Sequence, residues 1–150
     1  MRRLASLLAV MIAAMLVMAA CGGELPQTGG SPNQTGTPTE GQGGTITIEG
    51  REANDHGSLS VAGRDEVEVK MDDFYFQPTV LRGQAGQRLS IELRNAGQAG
   101  HNFSLTEQNV DQDVAAGEDA KVTVTFPDSG TLAFFCKFHA AQGMVGGLSV

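Results

Sequence analysis

The stretch TLAFFCKFHAAQGMVGGLSV, residues 131–150, constrains this chain more than any other. Its first part alternates: Leu132, Phe134 and Cys136 share one face of a strand, because successive side chains point to opposite faces. The inward phase carries the Cys136 thiol into the core at the strand's end. His139 and Met144 follow it in the spacing C-x-x-H-x-x-x-x-M, so a thiolate, an imidazole and a thioether stand within nine residues. That is a soft, mixed sulfur and nitrogen donor set. Thiolate and thioether suit Cu(I), and imidazole suits both oxidation states of copper.

A trigonal site of two histidines and one cysteine, with a weak axial methionine, is the arrangement of blue-copper electron-transfer centres. The loop is one imidazole short of it. His101 can supply that group, because NAGQAGHNFSL puts His101, Phe103 and Leu105 on one face of a strand. The chain has three histidines, and the third, His56, falls in a polar loop. Metal to nitrogen and metal to thiolate bonds of about 2.0 and 2.3 Å require the three ligand atoms to lie about 3 to 4.5 Å apart. His101 and Cys136 should then be buried, with only the His139 edge reaching solvent and the Met144 sulfur somewhat farther off.

The tail GTLAFFCKFHAAQGMVGGLSV is similar to the C-terminal ligand loop of the plastocyanin-like cupredoxins, and FQPTVLRGQAGQRLSIELRNAGQAGHNF resembles their first-ligand region. The resemblance covers residues 67–150. It implies an all-β Greek-key β-sandwich holding one copper ion, with His101, Cys136, His139 and Met144 as ligands. It also implies that Asn102 pins the two ligand loops together by hydrogen bonds. The chain departs from the plastocyanin pattern between Cys136 and His139, where Lys137 and Phe138 replace a small polar residue and a proline.

Other chemistries fit less well. Structural zinc prefers several cysteines or histidines and no thioether. A two-copper centre of the oxidase subunit II type needs a second loop cysteine, and a c-type haem needs C-x-x-C-H. Cys136 and His139 offer a nucleophile and a base, but no orienting third group or oxyanion feature accompanies them, which argues against an enzyme. The expected function is one-electron transfer, the alternative being extracytoplasmic copper delivery or storage.

Residues 1–20, MRRLASLLAVMIAAMLVMAA, combine a basic start with an apolar run and read as an export signal. Small residues directly before Cys21 resemble a bacterial lipobox, so cleavage there and lipidation of the Cys21 thiol are expected, in preference to plain secretion, a periplasmic form or an uncleaved anchor. All of these place the domain outside the cytoplasm. Residues 21–63 are rich in Gly, Pro, Thr, Gln and Ser and read as a flexible linker. Within it LPQTG matches a cell-wall sorting signal by letter only, and TITIE alternates like a short strand. The folded domain is expected at 64–150.

In that domain Val67, Val69 and Met71 alternate with charged residues, as do Leu89, Ile91 and Leu93, and later Val122, Val124 and Phe126. TEQNVDQDVAAGEDA is polar and reads as a loop with room for one helical turn. The formal charge is −7, and −9 once Arg2 and Arg3 leave with the leader, which excludes nucleic acid as a partner. Redox proteins are the expected partners. They should dock on an apolar rim around His139 formed by Phe138, Ala140, Ala141, Met144 and Val145, with Asp111, Asp113, Glu118 and Asp119 steering a basic patch.

Overall fold

A computed structural model of the chain describes residues 43–150. The export signal, Cys21, the LPQTG match and the linker up to residue 42 lie outside them. The strands are β1 (Gly44–Ile48), β2 (Arg51–Asp55), β3 (Ser58–Ser60), β4 (Glu66–Asp72), β5 (Tyr75–Gln77) and β6 (Val80–Arg82). They continue as β7 (Arg88–Asn95), β8 (His101–Leu105), β9 (Val110–Val114), β10 (Asp119–Thr125), β11 (Thr131–Phe135) and β12 (Val145–Ser149). Single 3-10 turns at Thr106–Gln108 and Ala140–Gln142 are the helical elements among the described residues.

Two sheets form the sandwich, one in the order β10-β7-β4-β5 and the other in the order β3-β6-β12-β11-β8-β9. The chain crosses between them at β3–β4, β5–β6, β6–β7, β7–β8, β9–β10 and β10–β11, which is Greek-key wiring. Alternation decides what faces inward. Val67, Val69 and Met71 on β4, Leu89, Ile91 and Leu93 on β7, and Val122 and Val124 on β10 meet Phe103, Leu105, Phe134 and Leu148 of the opposite sheet in one buried cluster. Phe103 and Phe134 stack with ring centroids 4.7 Å apart, and Phe76 meets both edge-on. Each such side chain, fully buried, contributes about 1.5–3 kcal/mol, so the core needs no disulfide.

The structure differs from the sequence expectation at both polar stretches. Residues 44–60, expected as linker apart from the strand-like alternation of TITIE, carry β1, β2 and β3. β3 adds to the edge of the larger sheet in parallel with β6. β1 and β2 form an antiparallel hairpin whose Ile48 and Ala53 bury against Ala133 and Val145 on the outer face of that sheet. Three further contacts fasten this hairpin: Ala133 N–H donates to the Glu49 carboxylate at 3.1 Å, Arg51 lies 4.5 Å above the Phe135 ring, and Asn54 N–H donates to Gly143 O at 2.9 Å. The hairpin's order thus comes from tertiary partners far along the chain, which local composition does not register. Likewise 110–114, expected as loop, is the edge strand β9, paired antiparallel with β8.

Candidate metal centre

The start of β8 and the loop that follows β11 meet at one end of the sandwich. β8 begins with His101, whose ring is wholly buried, and its inward phase continues through Phe103 and Leu105 as the two-residue period requires. Cys136 follows β11 and is likewise at 0% exposure. His139 lies three residues on and is half-buried. The ligand loop is closed on itself by backbone hydrogen bonds: Cys136 N–H to Met144 O (3.0 Å), His139 N–H to Cys136 O (3.1 Å), and Met144 N–H to His139 O (3.2 Å). The turn at Ala140–Gln142 ends on Gly143 at φ +87°, a left-handed conformation that suits glycine. A Cβ there would also stand 2.8 Å from the Asn54 side chain.

These elements bring His101 Nδ1 to 3.2 Å from His139 Nδ1, and His139 Nδ1 to 3.5 Å from Cys136 Sγ. Ligand atoms of all three residues lie within 4.8 Å of one another. Two imidazole nitrogens and one thiol sulfur at these separations match a trigonal site. The donor set and spacing fit copper, and they do so in a pocket closed to water except at His139. Burial, and next the neighbouring His139 ring, push His101 below the usual imidazole pKa, against the opposing pull of Asp73. An uncharged imidazole keeps a lone pair free for a metal. Met144, wholly buried, sits in the same loop.

A sequence model of the cupredoxin-like domain matches residues 45–146. The chain belongs to the cupredoxin-like domain family. The match begins at β1 rather than near residue 64, so the hairpin over the ligand loop is part of the domain. Copper is the cofactor of this cupredoxin, with His101, Cys136 and His139 positioned to bind one ion. No curated protein matches the chain. Among solved structures it is similar to dithionite-reduced auracyanin from the photosynthetic bacterium Roseiflexus castenholzii, at 18% identity over 57% of this chain and 96% of that one, TM-score 0.48. Oxidized plastocyanin from Dryopteris crassirhizoma shares 22% identity over 56% and 99% of the two chains, TM-score 0.43. The metal-binding domain of a Cu(I)-exporting P-type ATPase from Streptococcus pneumoniae D39, solved with Cu(I), shares 14% over 65% and 90%, TM-score 0.49.

Beside the cupredoxin site, Asn102 links β8 to the loop after Cys136. It lies on the outer face of β8, yet it is wholly buried. Its Oδ1 accepts from Lys137 N–H at 3.3 Å and from the Ser104 hydroxyl at 2.6 Å, while Nδ2 donates to Asp111 and Asp113 at 2.7 Å each. Lys137 Nζ reaches the same two carboxylates at 2.8 Å. First the lysine and then Asn102 hold both carboxyls below the ordinary aspartate range. Lys137, standing where the resemblance expects a small polar residue, therefore closes the lid over Asn102.

The rim around His139 is only partly the one expected. Phe138 is 51% exposed, Ala141 is exposed and Ala140 is half-buried. Val145 is not on the rim: it is 1% exposed, because its face of β12 lies under the β1–β2 hairpin, and Met144 is buried as well. Phe74 takes the vacant part, 37% exposed with its ring centroid 4.6 Å from that of His139.

Three residues near the site were not singled out as functional from sequence. Asp73 Oδ1 stands 3.2 Å from His101 Nε2. Phe74 flanks His139. Asn54 Nδ2 donates to Phe74 O at 3.0 Å and to Gln142 O at 2.8 Å, tying the hairpin to both loops beside His139. Nothing in the local pattern marks them, since each acts through residues at least 20 positions away. His56 stays outside the site, its ring stacked on Tyr75 at 3.5 Å.

Proposed function

We propose that this cupredoxin is a one-electron carrier outside the cytoplasm, in which His101, Cys136, His139 and Met144 would hold the copper. The observation that carries the reading is the convergence of two imidazole Nδ1 atoms and one thiol sulfur in a buried pocket. Bound there, copper supplies a one-electron couple whose two states tolerate the same ligand set. The residues supply rigidity. The hydrogen-bonded loop, the Asn102 pin and the Asn54 ties restrict rearrangement when the charge at the site changes by one.

The electron path is the half-buried edge of His139 between Phe74 and Phe138, and redox proteins dock on that rim with Ala140 and Ala141. Because Lys137 is paired with Asp111 and Asp113, the steering of a basic partner falls mainly to the exposed Glu118 and Asp119, and the on-rate falls with salt. Lipidation of Cys21 after loss of residues 1–20 tethers the domain to a membrane. Cys21→Ser should move the protein to the soluble fraction.

The test is voltammetry of the copper-loaded protein alongside copper transfer to a chelating acceptor. A reversible one-electron couple without turnover of small substrates is expected. Transfer of the metal faster than electron exchange would favour delivery instead, and steady oxidation of a small substrate would make the protein an enzyme.

A further inference from the structure

Asp73 lies in the turn between β4 and β5, far in sequence from the ligand loop, yet its carboxylate reaches the back of the first ligand. Its Oδ1 is 3.2 Å from His101 Nε2, and its Oδ2 accepts from Gln98 N–H at 3.4 Å. Nδ1 of the same ring faces His139 and the thiol. A carboxylate only accepts, so a neutral ring against it carries its proton on Nε2 and presents the Nδ1 lone pair to the site.

The backbone is shaped for this contact. A Cβ on Gly97 would stand 2.6 Å from Asp73 Oδ1 and 2.8 Å from His101 Nε2, so only glycine lets the two groups meet. The ring is sealed from water while the Asp73 side chain is about a third exposed, which keeps the carboxylate hydrated at its outer side.

We propose that Asp73 is a positioning residue for the metal centre: by accepting the His101 Nε2–H it fixes the tautomer that offers Nδ1, and its negative charge favours Cu(II) over Cu(I). The claim rests on the reading of His101 as a copper ligand. A carboxylate behind a ligating imidazole orients the ring and raises its basicity. The more positive ion gains most from both effects, so the reduction potential is held down.

Two variants separate the two effects. In Asp73→Ala the hydrogen-bond acceptor is gone, and in Asp73→Asn an amide oxygen can still accept while the charge is lost. In the metal-free protein, nitrogen NMR of the histidines should show His101 as the single Nε2–H tautomer in wild type and Asp73→Asn, and as a mixture in Asp73→Ala. Loaded with copper, Asp73→Ala should lose about 10- to 100-fold in Cu(II) affinity. Both variants should raise the ratio of Cu(I) to Cu(II) affinity by about tenfold, an upward shift of about 59 mV for a one-electron couple. Gly97→Ala, which pushes the two groups apart from the backbone side, should shift the potential the same way. Wild-type His101 signals in Asp73→Ala overturn the tautomer lock, and a wild-type potential in Asp73→Asn overturns the charge effect. Were wild type itself to give no copper couple, the copper reading would fall, while the metal-free spectra would still decide the role of Asp73.

Discussion

At the scale of single residues, the site depends on a few groups that have no substitute. Cys136→Ser should abolish the blue colour while the metal-free chain still folds, because a buried hydroxyl costs about 1–3 kcal/mol against a domain stability of about 5–15. Visible absorption and urea titration check the two halves, and a mutant that stays blue would place the site elsewhere. Asn102→Ala leaves Lys137 N–H and the Ser104 hydroxyl without their acceptor. It should cost about 1–3 kcal/mol in the metal-free protein, read as a lower urea midpoint. His101, Cys136 and His139 were legible in the sequence from spacing and strand phase, whereas the role of Asn102 came only from the resemblance. Asp73, Phe74 and Asn54 were not legible, since what they do is set by who lies beside them in space.

At the scale of elements, alternation announced β4, β7, β10 and β11 and, in TITIE, part of β1, while weakly apolar segments beyond these stayed silent. β9 offers Val110 and Val114 among acidic residues, and the β1–β2 hairpin has Ile46, Ile48 and Ala53 as its packed apolar residues. That hairpin is also why Val145 turned inward: a strand end that should have faced solvent gained a covering layer. Its functional tie is Asn54. Asn54→Ala removes the hydrogen bonds to Phe74 O and Gln142 O and should cost about 1–3 kcal/mol. Amide exchange should quicken at Gly143 and Met144 but not at Ile91 in the core. Unchanged exchange in the loop would show that the hairpin merely covers it.

At the scale of the whole molecule, charge and burial set the response to acid. Burial lowers the pKa of both His56 and His101. Above about pH 6.5 each is neutral folded or unfolded; below it the unfolded chain takes up protons that the folded one refuses until a lower pH. Stability of the metal-free protein should therefore be full above about pH 6.5 and fall as the pH drops through the window beneath it. A second loss follows in stronger acid, where Asp111 and Asp113, held low by Lys137 and Asn102, finally protonate. Urea midpoints between about pH 7.5 and 2 measure both losses, and a midpoint that rises on acidification would contradict them. The sandwich, the ligand loop and the buried triangle all serve one claim, that Cys136 binds copper as a thiolate between two imidazoles. The visible spectrum of the copper-loaded protein tests that claim most directly: the account predicts an intense blue thiolate-to-Cu(II) band, and a colourless Cu(II) complex would contradict it.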